Sequence, residues 1–368
     1  MSNVARSAPH PRPLSPEYRG EGSNILRFPA YSADLRCVDT NACKGGDSRR
    51  WRTCGSCLTA VVAVISLIGP AVAAEPVVSF VPRPGALTIR LDDVDVANYV
   101  YNDEKVPRPY FVHVKTTSGN QVTRQHPPQK GQDAVDHEGL HTGIWLSFGD
   151  LSGCDYWRLK ARTEHVRFTK PPMGAAGRGS FAVLNRYLTT DGKGTVCEET
   201  CHYQISCIAG GYLIDISSEF RPGNADLVFG DQEEMGLGVR MVTALAVDRG
   251  KGGRILDSAG RKNGQAVWGQ TAQWCDYSGP LAGKWTGLTV LSAPENFRPS
   301  WDHARDYGFL AVNPFGRNAF TKQEPSRHVI KKGETFHLRF GVAVHETAAE
   351  ADYKPADVYR DFASKKAD

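Results

Sequence analysis

The sequence has little of three things: long apolar runs, runs of like charge, and closely spaced cysteines beyond residue 74. The longest apolar run, residues 58–68, is shorter than the roughly 20 residues that a membrane-spanning helix needs. No run of like charges exceeds two residues, as in Lys331-Lys332, and no Cys-x-x-Cys pair follows residue 74. These absences argue against a protein with several membrane spans, a nucleic-acid-binding surface and a thiolate metal site.

The first 74 residues have the composition of a leader. Residues 1–48 are rich in proline, serine, glycine and arginine, which predicts a disordered segment or a leader upstream of the true start. Residues 49–74 predict a secretory signal peptide, because basic residues precede the apolar run and small residues up to Ala73 supply a cleavage site. We therefore expect a periplasmic or secreted protein. The alternative is a protein anchored in the membrane by residues 58–74.

The charge balance predicts the kind of partner. The chain has 44 Lys and Arg and 40 Asp and Glu, and the basic surplus lies in the first 74 residues. Beyond them the two signs are equal in number, so no nucleic-acid partner is expected. A membrane partner is expected only through an uncleaved leader. This balance favours a carbohydrate or another polar small molecule as the ligand.

Five cysteines follow the leader: Cys154, Cys197, Cys201, Cys207 and Cys275. An odd number leaves at least one thiol free or paired between chains. Cys197 and Cys201 are predicted on one strand, roughly 13 Å apart, which is too far for a disulfide. No cofactor is certain from the sequence.

From Val77 onward, short alternating or β-branched runs are separated by Gly, Pro, Asn and Asp. Candidate strands are residues 86–91, 110–115, 143–148, 179–189, 196–207, 211–220, 227–229, 238–245, 283–291, 308–312 and 335–344. Without amphipathic helices between them, such strands predict an all-β fold, a large antiparallel β-sandwich, in one domain over residues 76–368. A short C-terminal helix is predicted from Pro355.

Two polar and aromatic segments are predicted to be binding loops. The first runs from Arg124 to Asp150 and contains Asp136-His-Glu-Gly-Leu-His141. The second runs from Asn296 to residue 316 and contains Trp301-Asp-His-Ala-Arg305. Glycine and proline beside so many ionisable side chains are typical of loops that a rigid scaffold presents.

Several segments resemble the secreted bacterial PmoA-like family, which is labelled "methane oxygenase PmoA". They include Arg108-Pro-Tyr-Phe, Phe229-Gly-Asp-Gln-Glu-Glu-Met-Gly-Leu-Gly and Phe297-Arg-Pro-Ser-Trp-Asp-His-Ala-Arg-Asp-Tyr-Gly. The resemblance implies a domain of unknown function, similar to the galactose-mutarotase supersandwich and common near sugar-degrading genes. Methane oxidation is not carried over, because membrane methane monooxygenase subunits need several long apolar spans.

The residues of these segments support acid and base chemistry on a sugar ring, by an epimerase, lyase or hydrolase. The candidate catalytic residues are His141, His303, Glu233, Glu234 and Asp231. The candidate substrate-binding residues are Arg124, His126, Trp145, Trp274, Arg298, Trp301, Asp302 and Arg305. The arginines could instead brace the loops, and residues 231–234 could be a solvated turn. We expect one concave, aromatic-walled pocket.

Two other interpretations stay open at this point. Asp136, His137 and His141 could bind a divalent metal in a metal-dependent hydrolase or lyase, since His and carboxylate ligands suit Zn²⁺. Alternatively, the domain binds a glycan without catalysis, and its ionisable groups serve as hydrogen-bonding partners.

The leader interpretation predicts where the exported chain begins. Signal cleavage after small residues should release a protein that starts at about Ala74 or Glu75. N-terminal sequencing of protein recovered from the cell exterior or periplasm would test this, with cytoplasmic protein as the control. Exported protein that still contains Arg49 would contradict it.

Overall fold

The computed structural model describes residues 74–365. The predicted disordered leader and almost all of the predicted signal peptide lie outside the described residues. No helix in the part that is described is both long and apolar enough to cross a membrane.

The described residues form eighteen strands and three short α-helices. In chain order the strands are β1 (Val78–Arg83), β2 (Ala86–Leu91), β3 (Val94–Val100), β4 (Tyr110–Val112), β5 (Ile144–Phe148), β6 (Thr163–Ala175), β7 (Arg178–Leu188), β8 (Thr195–Ile208), β9 (Gly211–Pro222), β10 (Leu227–Phe229), β11 (Met235–Arg240), β12 (Arg254–Asp257), β13 (Trp274–Leu281), β14 (Lys284–Ser292), β15 (Trp301–Arg305), β16 (Phe309–Asn313), β17 (His328–Ile330) and β18 (Phe336–Thr347). The helices are α1 (Asn263–Val267), α2 (Arg317–Thr321) and α3 (Pro355–Ser364).

The strands assemble into two large antiparallel sheets and one small strand pair. The first sheet has the order β1-β2-β3-β4-β5-β11-β16-β15, and the second has the order β12-β13-β14-β18-β9-β8-β7-β6. Strands β10 and β17 pair separately. The all-β antiparallel fold predicted from the sequence is therefore confirmed.

The two sheets pack face to face through aromatic side chains. Phe148 on β5 lies 5.5 Å from Phe220 on β9, and Tyr99 on β3 lies 4.9 Å from Tyr203 on β8, measured between ring centroids. Because successive side chains along a strand point to opposite faces, each strand gives alternate residues to this core and the others to an outer face. Each sheet thus has one outer face for binding or for covering elements.

Helix α3 covers part of the second sheet's outer face, as predicted from Pro355. Phe362 is fully buried and belongs to an apolar cluster with Leu213, Leu291 and Trp274. The C-terminal helix of the sequence-based prediction is confirmed.

The predicted strand 238–245 is wrong at its end. Strand β11 stops at Arg240, and Thr243–Leu245 forms a 3-10 turn. The chain leaves the sheet because the Met241 N–H donates to the Gly308 carbonyl, and the Val242 N–H donates to the Val122 carbonyl.

The second polar segment is only partly a loop, which corrects the prediction. Trp301–Arg305 forms β15, the edge strand of the first sheet, and pairs with β16. The alternation is typical of a strand: Trp301, His303 and Arg305 face one side, with Trp301 and Arg305 partly exposed, and Asp302 and Ala304 face the core. Here a half-exposed strand was mistaken for a loop.

The cysteines of the described residues are all free thiols, and Cys154, Cys197, Cys201 and Cys275 are buried. Cys197 and Cys201 lie on one strand, β8, as predicted, and both side chains face inward.

A buried polar network holds the segment that leads from β18 to α3. Asp276 and His345 have fully buried side chains, and the His345 Nε2 lies 3.0 Å from the Asp276 Oδ1. Thr289 donates to the same carboxylate, and the Tyr353 ring stacks on His345 with centroids 3.6 Å apart. Burial alone raises the pKa of Asp276, but the charge of His345 and the hydrogen bonds from Ser278 and Thr289 outweigh it, so this pKa lies below its usual value.

This network predicts an acid-sensitive contribution to stability. A carboxylate with a lowered pKa stabilises the fold above its unfolded-state pKa of about 3.9, and this stabilisation is lost as the pH falls through the lower folded-state value. Asp276→Asn should therefore reduce the unfolding free energy by about 3 kcal/mol at neutral pH, and the gap to the unmodified protein should narrow below about pH 4. Urea unfolding across pH measures this, with exposed Asp361→Asn as the control. A gap that stays constant with pH would contradict the assignment.

Candidate functional site

Four neighbouring strands place one row of residues across the outer face of the first sheet. The register pairs Trp145 on β5 with Gly238 on β11, Gly238 with Ala311 on β16, and Ala311 with His303 on β15. The row has the Trp145 indole at one end and the His303 imidazole at the other, with the small residues Gly238 and Ala311 between them. A Cβ atom at Gly238 would lie 2.7 Å from the Trp145 ring. The row therefore requires glycine at position 238, because any side chain there would clash with Trp145.

The adjacent row carries charge on both sides of an aromatic ring. Arg240 pairs with Phe309, and Phe309 pairs with Arg305. The Arg240 guanidinium lies 4.6 Å from the centroid of the Tyr307 ring, which covers it. Arg240 is almost fully buried, whereas the Arg305 side chain is 37% exposed. Only Arg305 is therefore open to a ligand.

Two predicted histidines stack on this surface. The rings of His137 and His141 have centroids 4.6 Å apart and planes tilted by only 10°. His141 stacks in turn on Phe309 at 4.6 Å, and His303 meets the same Phe309 ring edge-on at 5.0 Å. The first and second polar segments thus converge, with His141 and His303 both against Phe309.

Arg124 braces the loop that carries these histidines. Its side chain is fully buried and donates to the carbonyls of Ala134, Asp136 and His141 at 2.8, 2.6 and 3.0 Å. A guanidinium engaged in this way holds backbone and does not reach a ligand. Of the two roles considered for Arg124, the loop brace is the one that its contacts support.

Glu233 lies between two nitrogen groups at the other end of the row. Its Oε2 lies 3.6 Å from the His303 Nε2 and 3.4 Å from the Arg305 Nη2. The His303 Nδ1 lies 3.3 Å from the main-chain carbonyl of Glu233. The carboxylate is about one-third exposed, whereas His303 is buried. A buried imidazole thus touches a carboxylate that a ligand can reach.

Neither imidazole carries a charge near neutral pH. Burial, and then the charge of Arg305, lowers the pKa of His303 to about 3. Burial, and then the charge of Arg240, lowers the pKa of His141 far below its usual value. Both rings therefore act as neutral hydrogen-bonding groups and not as imidazolium acids.

Aromatic rings surround the Glu233 end. Trp301 stacks on Phe320 of α2 with centroids 6.3 Å apart, and Trp268 meets Phe320 edge-on at 5.4 Å. The Arg305 guanidinium lies 5.5 Å from the Trp268 ring centroid. Phe320 also lies 5.9 Å from the His303 ring, so these half-buried indoles border the side chains that contact Glu233.

Other predicted catalytic residues have structural partners. Asp231 accepts hydrogen bonds from the N–H groups of Asn318, Ala319 and Ser326, so it fixes the start of α2. Glu234 forms an ion pair with Arg158. Neither carboxylate contacts His141 or His303 among the described residues.

Several predicted binding residues also lie away from the row. Trp274 is buried under α3 on the second sheet. Arg298 lies over the Phe297 ring and donates to the Ser326 hydroxyl at 3.1 Å. His126 packs edge-on against Tyr110 at 5.5 Å.

Asp302 faces the core and not the outer surface. Burial, and then the charge of Asp257, raises the pKa of Asp302 well above its usual value. The strand alternation that places Trp301 and His303 on the outer face turns the intervening Asp302 inward. Its side chain is therefore out of reach of a ligand on the outer face.

The predicted metal ligands lie together, but their geometry does not fit a divalent ion. Ligand atoms of Asp136, His137 and His141 all lie within 4.8 Å of one another. A metal lies in the plane of each imidazole that binds it, about 2.0 Å from nitrogen, and two stacked, nearly parallel rings share no such point. Arg240 also places a cation 2.7 Å from the Asp136 Oδ1 and 3.5 Å from the His141 Nδ1. We derive no chemistry through a metal here.

Sequence reasoning missed Arg240, Tyr307, Phe309, Trp268 and Phe320 as members of the site. The alternation of Tyr307-Gly-Phe309 leading into β16 is visible in the sequence. Which face of the sheet these rings lie on depends on strand pairing. Trp268 directly follows α1 and Phe320 lies on α2, far apart in sequence, and no local pattern brings them together.

A concave pocket at these residues stays a prediction. Five grooves of the described surface, with volumes of about 240 to 840 Å³, include neither His303 nor Glu233 in their linings. The 840 Å³ groove lies on the outer face of the second sheet.

The electrostatics of this face predict that His303 does not change its protonation state near neutral pH. His303 should not titrate between about pH 5 and pH 8, because its lowered pKa keeps it neutral throughout that range. Arg305→Gln removes a neighbouring positive charge and should raise the His303 pKa. Imidazole NMR signals, assigned with His303→Gln, measure both effects. A His303 titration midpoint near 6.5 in the unmodified protein would contradict this prediction.

Comparison with known proteins shows the family of this chain but not its activity. No curated protein matches it. A galactose mutarotase related enzyme from Lactobacillus acidophilus shares 11% identity at a TM-score of 0.33, over 74% of this chain and 99% of that one. A galactose mutarotase-like protein from Lactobacillus casei shares 9% identity at a TM-score of 0.37, over 73% and 100%. The model described as "Family of unknown function (DUF6807)" matches residues 86–356, and the chain belongs to that family.

Proposed function

We propose that this chain is an exported carbohydrate-active protein that transfers protons on a sugar ring at the outer face of the first sheet. The observation that carries the proposal is the contact between the buried, neutral His303 and the partly exposed Glu233. The exported location rests on the predicted signal peptide. The PmoA-like resemblance is kept as a hypothesis of kinship, without methane oxidation.

His303 and Glu233 have different roles in the proposed proton transfer. A neutral imidazole carries one proton, so the His303 Nδ1–H can donate to the Glu233 carbonyl while its Nε2 stays an acceptor. That acceptor lies 3.6 Å from the Glu233 Oε2, beyond hydrogen-bonding distance, so the carboxylate keeps lone pairs for a ligand. The Glu233 carboxylate can accept a proton from a sugar hydroxyl and return it to a ring or glycosidic oxygen.

The surroundings suit a sugar ring. Trp301 and Trp268 offer aromatic faces for the apolar side of a pyranose, and Arg305 offers donors to its hydroxyl or carboxyl oxygens. His141 and Tyr307 border the other side of Phe309. Donors, acceptors and aromatic rings on one face are the features of a small polar ligand site.

The proposal predicts different results for two adjacent glutamates. Glu233→Gln should reduce turnover by about 10²- to 10⁴-fold while leaving sugar affinity within about tenfold, because it removes a proton-transfer group. Glu234→Gln is the matched control and should retain turnover, since Glu234 pairs with Arg158. Mutarotation of free aldoses and hydrolysis of aryl glycosides supply the assays.

Trp301→Ala separates catalysis from binding in the same experiment. It should weaken sugar binding, measured by calorimetry, whether or not the protein turns its ligand over. Sugar binding without any turnover would make this chain a glycan-binding domain and would refute the acid and base roles. Absence of both binding and turnover across the panel would refute the carbohydrate proposal.

A further inference from the structure

A groove of about 840 Å³ lies on the outer face of the second sheet, on strands β6 to β9. We call it the polar trough, and its principal lining residues are Lys170, Arg178, Ser180, His202, Gln204 and Ser217. It lies on the half of this face that α3 does not cover. The site proposed above, on the first sheet, shares no residue with it.

The floor of the polar trough is built by strand register. Ser180 pairs with Gln204 and Gln204 with Asp215, while Ala182 pairs with His202 and His202 with Ser217. These rows run across the strands and present short hydroxyl, amide and imidazole groups. Such a floor offers hydrogen bonds without bulk, which suits a hydroxyl-rich ligand.

The trough continues toward β18. A second groove of about 420 Å³ shares Ser217 and Lys365 with the first and extends to Arg339 and His337. Five adjacent strands, from β6 to β18, span about 19 Å at the usual strand spacing. This length exceeds a single sugar ring and fits an extended chain.

The charges of the trough favour an anionic ligand. Asp215 is already paired with Arg339 at 2.7 Å. Lys170, Arg178 and Lys365 are exposed and have no carboxylate partner within residues 74–365. Glu75 lines the same groove, so the unpaired cations outnumber the unpaired acid three to one. These cations give the described lining of the trough a net positive charge.

Exposed aromatic rings are missing from the described lining. Phe181 and Tyr203 border the groove, but their side chains are buried in the core between the sheets. Stacking on aromatic rings is the main sequence-tolerant source of single-stranded nucleic-acid binding and supports neutral glycans as well. A ligand held by carboxylates and hydroxyls does not need it.

We propose that the polar trough binds a linear anionic polysaccharide of the uronate class. Lys170, Arg178 and Lys365 pair with carboxylates along the chain, while Ser180, Gln204 and Ser217 bond to its hydroxyls. This is a second site, independent of the acid and base pair on the first sheet. It would hold a polymer on the molecule whether or not the first site acts on it.

The test uses the full chain and polygalacturonate in affinity electrophoresis, with fully methyl-esterified polygalacturonate as the uncharged match. Polygalacturonate should retard the protein, added salt should weaken the retardation, and the esterified polymer should have little effect. Equal retardation by both polymers, or by neither, would overturn the proposal. Equal retardation by a single-stranded oligonucleotide would also overturn it, because it would show unselective attraction of polyanions.

Surface variants locate the binding. Lys170→Glu together with Arg178→Glu should reduce affinity by about tenfold or more, since two attractive pairs become repulsive. Lys193→Glu, in the turn between β7 and β8 outside the trough, is the control for a charge reversal elsewhere on the surface and should bind normally. Circular dichroism checks that both proteins are folded. Unchanged affinity in the folded double variant would overturn the assignment, whereas Glu233→Gln should leave polymer binding intact and so keeps the two proposals separable.

Discussion

The candidate site depends on close packing over Gly238. A side chain at this position on β11 would begin 2.7 Å from the Trp145 ring and 2.8 Å from the Trp157 ring. Because glycine leaves that space free, Trp145 and Trp157 lie across the strand, meeting edge-on with centroids 5.3 Å apart. Trp145 then supports the stack of His141 and Phe309, and Phe309 contacts His303. One missing side chain thus permits a continuous aromatic surface between the two histidines.

Together with burial, arginines determine the charge state of the histidines on this surface. Arg108 and Arg124 donate to main-chain carbonyls, and Arg240 holds Asp136. Cations and burial together keep the nearby imidazoles neutral, which removes them as acids near neutral pH. Glu233 is then the ionisable group that both contacts His303 and reaches solvent. The chemistry proposed here follows from this contrast between a buried base and an accessible carboxyl.

The two sheets use the same alternation for different purposes. On the first sheet, outward positions carry Trp145, Phe309 and His303, so the face suits one compact ring. On the second sheet, outward positions of β7 to β9 carry Ser180, Gln204 and Ser217, so the face suits a longer polar chain. Each strand contributes its inward residues to one shared core, and the outward residues are free to differ.

The sequence by itself determined the elements that local chemistry controls. Short β-branched runs divided by glycine and proline specified the antiparallel sandwich, and Pro355 marked the start of α3. It also singled out His141, His303 and Glu233, because polar and aromatic side chains were concentrated around them.

Tertiary structure alone decided which of these residues meet. Glu233 and Glu234 are adjacent in sequence just before β11, yet one faces His303 and the other faces Arg158. Trp301 and Asp302 likewise point to opposite faces of β15, and that strand was itself mistaken for a loop. Arg240 and Trp268 join the site through pairings between strands and helices far apart in the chain. Such long-range pairings are set by the packing of the whole sandwich, so no local pattern could reveal them.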